Sequence, residues 1–334
     1  MLAPSPLAAA PPDVADVDVP DPSGTATGVV RAVTSAGQRD VRGYWTAARM
    51  RAAEPAGRAL SSVEVSVRLS AEAVQVRLGL RAHSSTPSAP DTPSLGGLGA
   101  TADEASRAAP DTGAPWTGGG RVARTTGAVF FTMHGADLVC SGSATQSDNG
   151  AVVTTAGHCV KDGAGAWGRH WIFIPGYDDG ARPYGTYAAR RLTTTRAWAA
   201  RGDMDHDVGM AVVSRRRGTR LTEAVGGQRI AFGQPRGGLV DAFGYPSAGS
   251  YDGGDLVHCR GPVVDDAFGG SNDQGMACDM TAGSSGGPWL GGFDGSRGTL
   301  TSVNSFGYNG LDNVMWGPYF GGSVRAMYAH AESL

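Results

Sequence analysis

Gly283-Ser284-Ser285-Gly286-Gly287-Pro288 lies near the C-terminus, and Thr154-Thr155-Ala156-Gly157-His158-Cys159 lies upstream of it. Between them runs Asp205-His206-Asp207-Val208-Gly209, an acidic stretch that opens into the apolar run Val208 to Val213. A serine in a glycine-rich turn is a poor nucleophile at neutral pH unless a base reaches its hydroxyl. An imidazole titrates near neutrality and supplies such a base, and a buried carboxylate fixes its tautomer. Nucleophile, base and carboxylate are all present here, in the chain order His, Asp, Ser. The same three groups occur in other orders on unrelated folds, so the order points to one fold.

Within this set, Ser285 is the candidate nucleophile and His158 the candidate base. Asp207 fits the orienting carboxylate because it stands at the mouth of an apolar strand. Asp205 competes with it, since residues two apart face the same way on a strand. The glycines around Ser285 have a mechanical use. A tetrahedral oxyanion needs two backbone N–H groups aimed at one point. Gly283 can take the backbone angles that turn its N–H inward, so Gly283 and Ser285 are the expected donors. The other histidines (His83, His134, His170, His206, His258 and His330) lack ligand spacing and read as surface or packing residues.

Outward from these motifs, the texture is that of an all-β body. Short apolar runs alternate with glycine turns from Arg121 onward: Val129-Phe130-Phe131, Val152-Val153, Trp171 to Ile174, Val208 to Val213, Leu239-Val240 and Leu300 to Val303. This spacing suits antiparallel barrels. Residues 323–333 carry a helical pattern and are expected to pack on the second barrel. Fifty-two glycines and 41% hydrophobic residues in a chain of 334 agree with a turn-rich fold that has a real core.

The front of the chain differs. Residues 1–40 are rich in Pro, Ala, Val and Asp and read as largely disordered. Gly43-Tyr44-Trp45-Thr46-Ala47-Ala48-Arg49-Met50 begins a predicted helix over 43–54, with Thr46 as N-cap and Pro55 as its stop. Alternation over Val63 to Leu80 predicts a hairpin. Residues 83–120, rich in Ser, Thr, Pro, Gly and Ala, read as a flexible linker. The division expected is therefore 1–82, 83–120 and 121–334, with the two halves of the body meeting near 215–225. Arg121 and Arg124 look exposed at the junction, and a maturation cut is expected there.

Four cysteines without a CxxC pair argue against structural zinc. An even count suggests two disulfides in an exported chain, with four free thiols as the other reading. Of three pairings, the local ones, Cys140–Cys159 and Cys259–Cys278, are favoured. The start, MLAPSPLAAAPP, shows neither the charged residues nor the apolar stretch of an export signal, so secretion is inferred from the cysteines. No segment is long and apolar enough for a membrane helix. A net charge of −3 gives no reason to expect nucleic acid or an anionic membrane as partner. Asp178-Asp179 and Asp265-Asp266 lack calcium-ligand spacing. No metal or organic cofactor is expected.

Together, TTAGHC, DHDVG and GSSGGP resemble the chymotrypsin-like (trypsin-fold) serine peptidases, most closely the secreted bacterial members that include the glutamyl endopeptidase-like group. Gly127 to Phe131, Cys140-Ser141-Gly142-Ser143, Cys278 and Val303 to Gly307 extend the likeness over residues 121–330. GYWTAARM is similar to their propeptides. The resemblance implies two packed six-stranded antiparallel barrels with the triad between them. It also implies a monomeric endopeptidase acting on protein or peptide substrates. Its substrate strand would lie along Ser305, Phe306 and Gly307, beside a pocket walled by 279–284 and 303–308. Asp279 sits where trypsin-like relatives carry the pocket aspartate, which implies Arg or Lys at the cut; alternatively it caps a turn after Cys278. Asn304 stands where glutamate-specific relatives place a histidine, which argues against that preference. Ser284 replaces the aspartate that pairs with a new N-terminus in the trypsin type, so that mode of activation is not expected. A non-catalytic binding module on the same scaffold is the rival from another class.

Overall fold

The glycine at Gly135 lets the chain reverse within two residues, and this turn starts the first barrel. His134 and Gly135 both take positive φ, 52° and 84°, the backbone a two-residue hairpin turn needs. Strands β1 (Thr126–Met133) and β2 (Ala136–Ala144) pair in register from Thr126↔Ser143 to Met133↔Ala136. The computed structural model describes residues 17–19, 28–58, 113–266, 271–308 and 313–334. The hairpin expected over 63–80 and the linker residues 83–112 lie outside the described residues.

Four more strands complete the barrel: β3 (Val152–Thr155), β4 (Arg169–Pro175), β5 (Tyr187–Thr195) and β6 (Gly209–Val213). Each pairs antiparallel with its neighbours in the order β1-β2-β3-β6-β5-β4, and β4 returns to β1 to close the ring. Closure leaves no free edge inside the ring. Val129, Phe131, Cys140, Val153, Phe173, Leu192 and Met210 fill the interior. The opposite face of the same strands is apolar too. Ala128, Phe130, Val139, Ile172 and Ile174 point outward and are buried in a second cluster with Val41, Trp45 and Met50. That explains why Val129-Phe130-Phe131 does not alternate in polarity: both faces of β1 are covered.

The cover comes from the front segment. Gly28–Ala32 forms a strand that pairs with β5. The helix expected over 43–54 is divided in two, Ser35–Tyr44 and Ala47–Ala52, parted at Trp45. Thr46 caps the second helix as expected, accepting from the Arg49 N–H. The close of the predicted linker is also built in. Ala114–Pro115 pairs with the strand at Val257, and Trp116 packs edge-on against Phe243, His258 and Phe293. The Arg121 junction is a helix, Gly120–Thr125, in which Val122 and Thr125 are buried.

The second half holds β7 (Leu239–Gly244), β8 (Val257–Pro262), β9 (Gln274–Ala277), β10 (Pro288–Gly291), β11 (Thr299–Val303) and β12 (Val314–Gly317). Their hydrogen bonds form two sheets. One orders β11-β10-β7-β8, with short end strands at Arg229–Ile230 and Ala114–Pro115; the other holds Val264–Asp265, β9 and β12. Several links join the sheets. The Cys259–Cys278 disulfide ties β8 to the end of β9, and the Ser305 N–H beyond β11 donates to the Trp316 carbonyl of β12. Val240, Ala242, Met276, Trp289 and Met315 pack between them. Both favoured disulfides are present, the other being Cys140–Cys159.

The C-terminal helix, Gly322–Ser333, forms as predicted but packs on β5 and β6 of the first barrel rather than on the second. Val324, Met327 and Ala331 are its buried residues, and the sequence marks them as an apolar face without saying which barrel receives it. Two hydrogen bonds fix the choice. Asn149 Nδ2 donates to the Ala331 carbonyl at 2.8 Å, and Arg190 Nη2 donates to the Leu334 carbonyl at 2.8 Å.

The Cys259–Cys278 bridge spans 19 residues. Replacing both cysteines by alanine is expected to cost about 3 kcal/mol of stability. A lower urea midpoint checks this, and an unchanged midpoint contradicts it.

Candidate active site

A carboxylate with no exposed surface must be fully bonded or it loses its charge. Asp207 has no exposed surface and is held by three donors. The His158 backbone N–H donates to Oδ1 at 2.7 Å, and His158 Nδ1 lies 2.7 Å from Oδ2. The Ser305 hydroxyl donates to Oδ2 at 2.6 Å. Burial alone pushes the Asp207 carboxyl up. The His158 ring, the Ser305 hydroxyl and the His158 N–H outweigh it, and the net position lies below the usual carboxylate range. Asp207 therefore stays ionised, facing one edge of the imidazole.

Local sequence makes this seat. Thr194 Oγ1 donates to the Val208 carbonyl and Thr195 Oγ1 to the His206 carbonyl, each at 2.8 Å, clamping the chain on both sides of Asp207. Gly157 is required by space, since a Cβ there would lie 2.8 Å from Asp207 Oδ1. The competitor Asp205 turns away, accepting from the Asn272 backbone N–H and side-chain amide at 2.6 Å each.

Ser285 arrives from the second half. Its carbonyl accepts from the Ser141 N–H at 2.7 Å, and the Cys159 sulfur lies 3.7 Å from the same oxygen. Gly286 presses against Thr155, Ser141 and Ala156, where any side chain would collide. The residues before and after His158 and those around Ser285 thus meet directly. His158 Nε2 is buried and has no hydrogen-bond partner, so no bond joins it to the Ser285 hydroxyl in this arrangement.

The loop that carries Ser285 is braced by neutral groups. The Ser284 N–H and hydroxyl both reach the Thr281 carbonyl, at 3.2 and 2.8 Å. Ser141 Oγ donates to the Gly283 carbonyl at 3.0 Å and accepts from the Tyr245 N–H at 2.8 Å. Gly283 takes a φ of +98°, a conformation that glycine reaches without strain. Among the described residues, the N–H groups of Gly283 and Ser285 have no protein acceptor. Two unused donors on one tight turn can receive a developing oxyanion.

The remaining predicted residues divide. Asn304 is enclosed, and its amide is spent inward: Nδ2 donates to the carbonyls of Phe243 and Ser284, and Oδ1 accepts from Trp289 Nε1. It shapes the loop and does not face a substrate. The N–H groups of Ser305 and Phe306 both bond the Trp316 carbonyl, and the Phe306 carbonyl accepts from the Trp316 N–H. Among the described residues this leaves the Ser305 carbonyl and the Gly307 backbone open. Asp279 accepts from the Tyr251 hydroxyl at 2.7 Å and from the Gly113 N–H at 2.6 Å. Sequence reasoning missed the Ser305 hydroxyl as a partner of Asp207, because nothing in Val303 to Gly307 marks a serine that points backward. It also missed Ser141, whose only signal is its place between the first cysteine and Gly142.

Cys140, His158 and Cys159 bring three potential metal donors together, but the two sulfurs form a disulfide. Asp266 is bonded to Ser271 and to the Tyr308 hydroxyl, and Asp265 to Arg236.

No family model matches the chain, and no curated protein sequence does either. Solved structures do match. A thermostable serine protease, AL20, from an extremophilic microorganism is 43% identical, with a TM-score of 0.61 over 64% of this chain and 99% of that one. The protease Anisep from Arthrobacter nicotinovorans is 38% identical, with a TM-score of 0.60 over 63% of this chain and 96% of that one. A Glu endopeptidase in complex with MPD is 18% identical, with a TM-score of 0.52 over 66% of this chain and 97% of that one, a likeness of fold alone.

Asp273 stands apart electrostatically. It is fully buried, and neither carboxylate oxygen has a partner. Burial, then the charges of Asp205, Asp207, Asp266 and Asp203, push its carboxyl up to about 8. In the unfolded chain it titrates near 3.9. The folded form therefore keeps a proton that the unfolded form loses, and stability falls as pH rises from about 4 through about 8. Asp273→Asn is expected to raise the melting temperature at pH 9 and change it little at pH 4. Equal effects at both pH values contradict the assignment.

Proposed function

The chain belongs to the chymotrypsin-like serine peptidases, and from that premise we propose that it is a secreted endopeptidase working through an acyl-enzyme on Ser285. The observation that carries the reading is the triple seating of Asp207 by the His158 N–H, the His158 ring and the Ser305 hydroxyl. It fixes the proton on Nδ1 and leaves Nε2 basic. Nε2 takes the Ser285 proton as Oγ attacks the peptide carbonyl. Asp207 stabilises the imidazolium that forms, and the imidazolium then gives its proton to the leaving amine. Water attacks the acyl-enzyme with the same base. The N–H groups of Gly283 and Ser285 receive the oxyanion in both steps. Because Ser284 is neutral and bonded to Thr281, the turn needs no N-terminal ion pair to hold its shape.

Residues 121–334 are the peptidase domain in this reading. Their 64% share of the chain is equal in size to the share that the AL20 alignment covers, which supports the reading. The two disulfides suit an extracytoplasmic setting. Residues 1–82 serve as a propeptide-like segment and 83–120 as a linker. The substrate is a protein or peptide, and the working form is a monomer.

A fluorophosphonate probe tests the nucleophile. With a recognition sequence for a second protease placed in residues 83–112, so that the front segment can be severed, peptide mapping is expected to find one adduct, on Ser285. Ser285→Ala is expected to lose the adduct and to lower casein turnover at least a thousandfold, with its melting temperature kept. No adduct in the severed native protein after mild warming has released the front segment, or full turnover by the alanine variant, contradicts the assignment.

A further inference from the structure

Arg121 and Arg229 stand far apart in the chain, yet both line one cavity of about 340 Å³. Four pieces of chain meet there: the junction helix, Gln146 just past β2, the crossover Gly227-Gln228-Arg229, and the turn between β10 and β11. None of the residues that seat Asp207 or Ser285 lines it. Its buried wall is Gln228, which has no exposed surface. The Gln228 N–H donates to the Ala144 carbonyl and the Gln228 carbonyl accepts from the Gln146 N–H, each at 2.9 Å. Its Nε2 donates to Thr125 Oγ1 at 2.8 Å, and its Oε1 accepts from the Gly298 N–H at 3.1 Å. One residue thus holds the other three pieces in place. The Arg121 N–H adds a bond to Ser296 Oγ at 2.9 Å.

The charge on this fixed frame is unbalanced. Its lining carries three guanidinium groups, Arg121, Arg229 and Arg297, against one carboxylate, Asp294. Asp294 is already engaged. Its Oδ1 accepts from the Ser296 and Arg297 N–H groups at 2.9 Å each, and its Oδ2 lies 3.4 Å from Arg297 Nε. Arg121 Nη1 donates to the Gly227 carbonyl at 3.4 Å. Among the described residues no carboxylate pairs with Arg121 or with Arg229. Asp148 lines a neighbouring recess with Tyr328 and not this cavity. Two positive charges therefore stand uncompensated in a chain whose net charge is −3. Like charges lining a low-dielectric recess attract an anion into it. A guanidinium offers paired N–H donors in a fork that fits phosphate or carboxylate oxygens. The volume lies at the small end of ligand pockets, which suits a small molecule.

We propose that this cavity is a binding site for a small multivalent oxyanion, phosphoryl or polycarboxylate, clamped by Arg121 and Arg229. The anion joins the junction helix to the crossover between the two halves. It binds the folded arrangement alone, because the unfolded chain does not bring these arginines together, and so it stabilises the fold. The site stands independently of the assignment of Ser285.

Calorimetric titration of the full-length protein with pyrophosphate and with citrate, at constant ionic strength, tests the site. It is run on the native chain, on Arg121→Gln and Arg229→Gln, and on Arg217→Gln, which removes an exposed arginine outside the cavity. At least one anion is expected to bind the native chain with a Kd below about 1 mM and to raise its melting temperature. The tighter of the two names the ligand's class. Arg121→Gln and Arg229→Gln are each expected to weaken binding at least tenfold, and Arg217→Gln to leave it unchanged. Arg229 is exposed, so its variant decides the matter even where Arg121→Gln fails to fold. The site is overturned by no saturable binding of either anion, by native affinity in Arg229→Gln, or by equal weakening in Arg217→Gln. Tighter binding of a hexaglutamate peptide than of both small anions overturns the small occupant.

Discussion

Charge buried at Asp207 is the constraint on which the rest of this structure depends. A carboxylate with no exposed surface costs several kcal/mol to bury unless every lone pair is used. Here the donors come from both halves of the chain: His158 from the first barrel and Ser305 from beyond β11 of the second half. The bond from Ser305 therefore does two things. It keeps Asp207 ionised and it fixes how the two halves sit against each other. The threonines at 194 and 195, the glycine at 157 and the disulfide at Cys140–Cys159 all hold parts of this one seat.

The Ser285 loop follows from a second constraint, close approach of backbone to backbone. Gly286 and Gly287 sit where side chains would strike Ser141, Thr155 and Phe243. With the loop pressed this tightly, neutral hydrogen bonds from Ser141, Ser284 and Asn304 are enough to hold two N–H groups open. Asp273 is a separate feature: a buried acid among four other aspartates, whose carboxyl is pushed up to about 8 by its surroundings.

Much of this was legible in the sequence because the chemistry needs particular residues in a particular order. His158, Asp207 and Ser285, the glycine turn and the two local disulfides could be read without coordinates. The preference for Asp207 over Asp205 agrees with the hydrogen bonds each one makes. What stayed hidden were interactions that leave no periodic or compositional mark. A serine bonding backward to a carboxylate looks like any strand-end serine. The helix at Gly322–Ser333 shows an apolar face, but three buried residues cannot name the barrel they meet. The front segment was hidden for a different reason. By composition residues 1–40 read as largely disordered, yet Gly28–Ala32 and Ser35–Tyr44 are ordered, because Val41, Trp45 and Met50 find an apolar patch on the first barrel. A signal existed on the other side of that contact: the unbroken run Ala128 to Phe131 has no polar face, which requires a cover on both sides of the strand.

The account turns on the proton between His158 and Asp207. A proton NMR spectrum of protein labelled with nitrogen-15 in its histidines tests this most directly. It should contain one far-downfield imidazole N–H resonance assigned to His158 Nδ1, present in the native chain and in Ser285→Ala and lost in Asp207→Asn. Persistence of that resonance in Asp207→Asn, or its absence from the native protein at every pH from acid to neutral, would contradict the seating on which the mechanism is built.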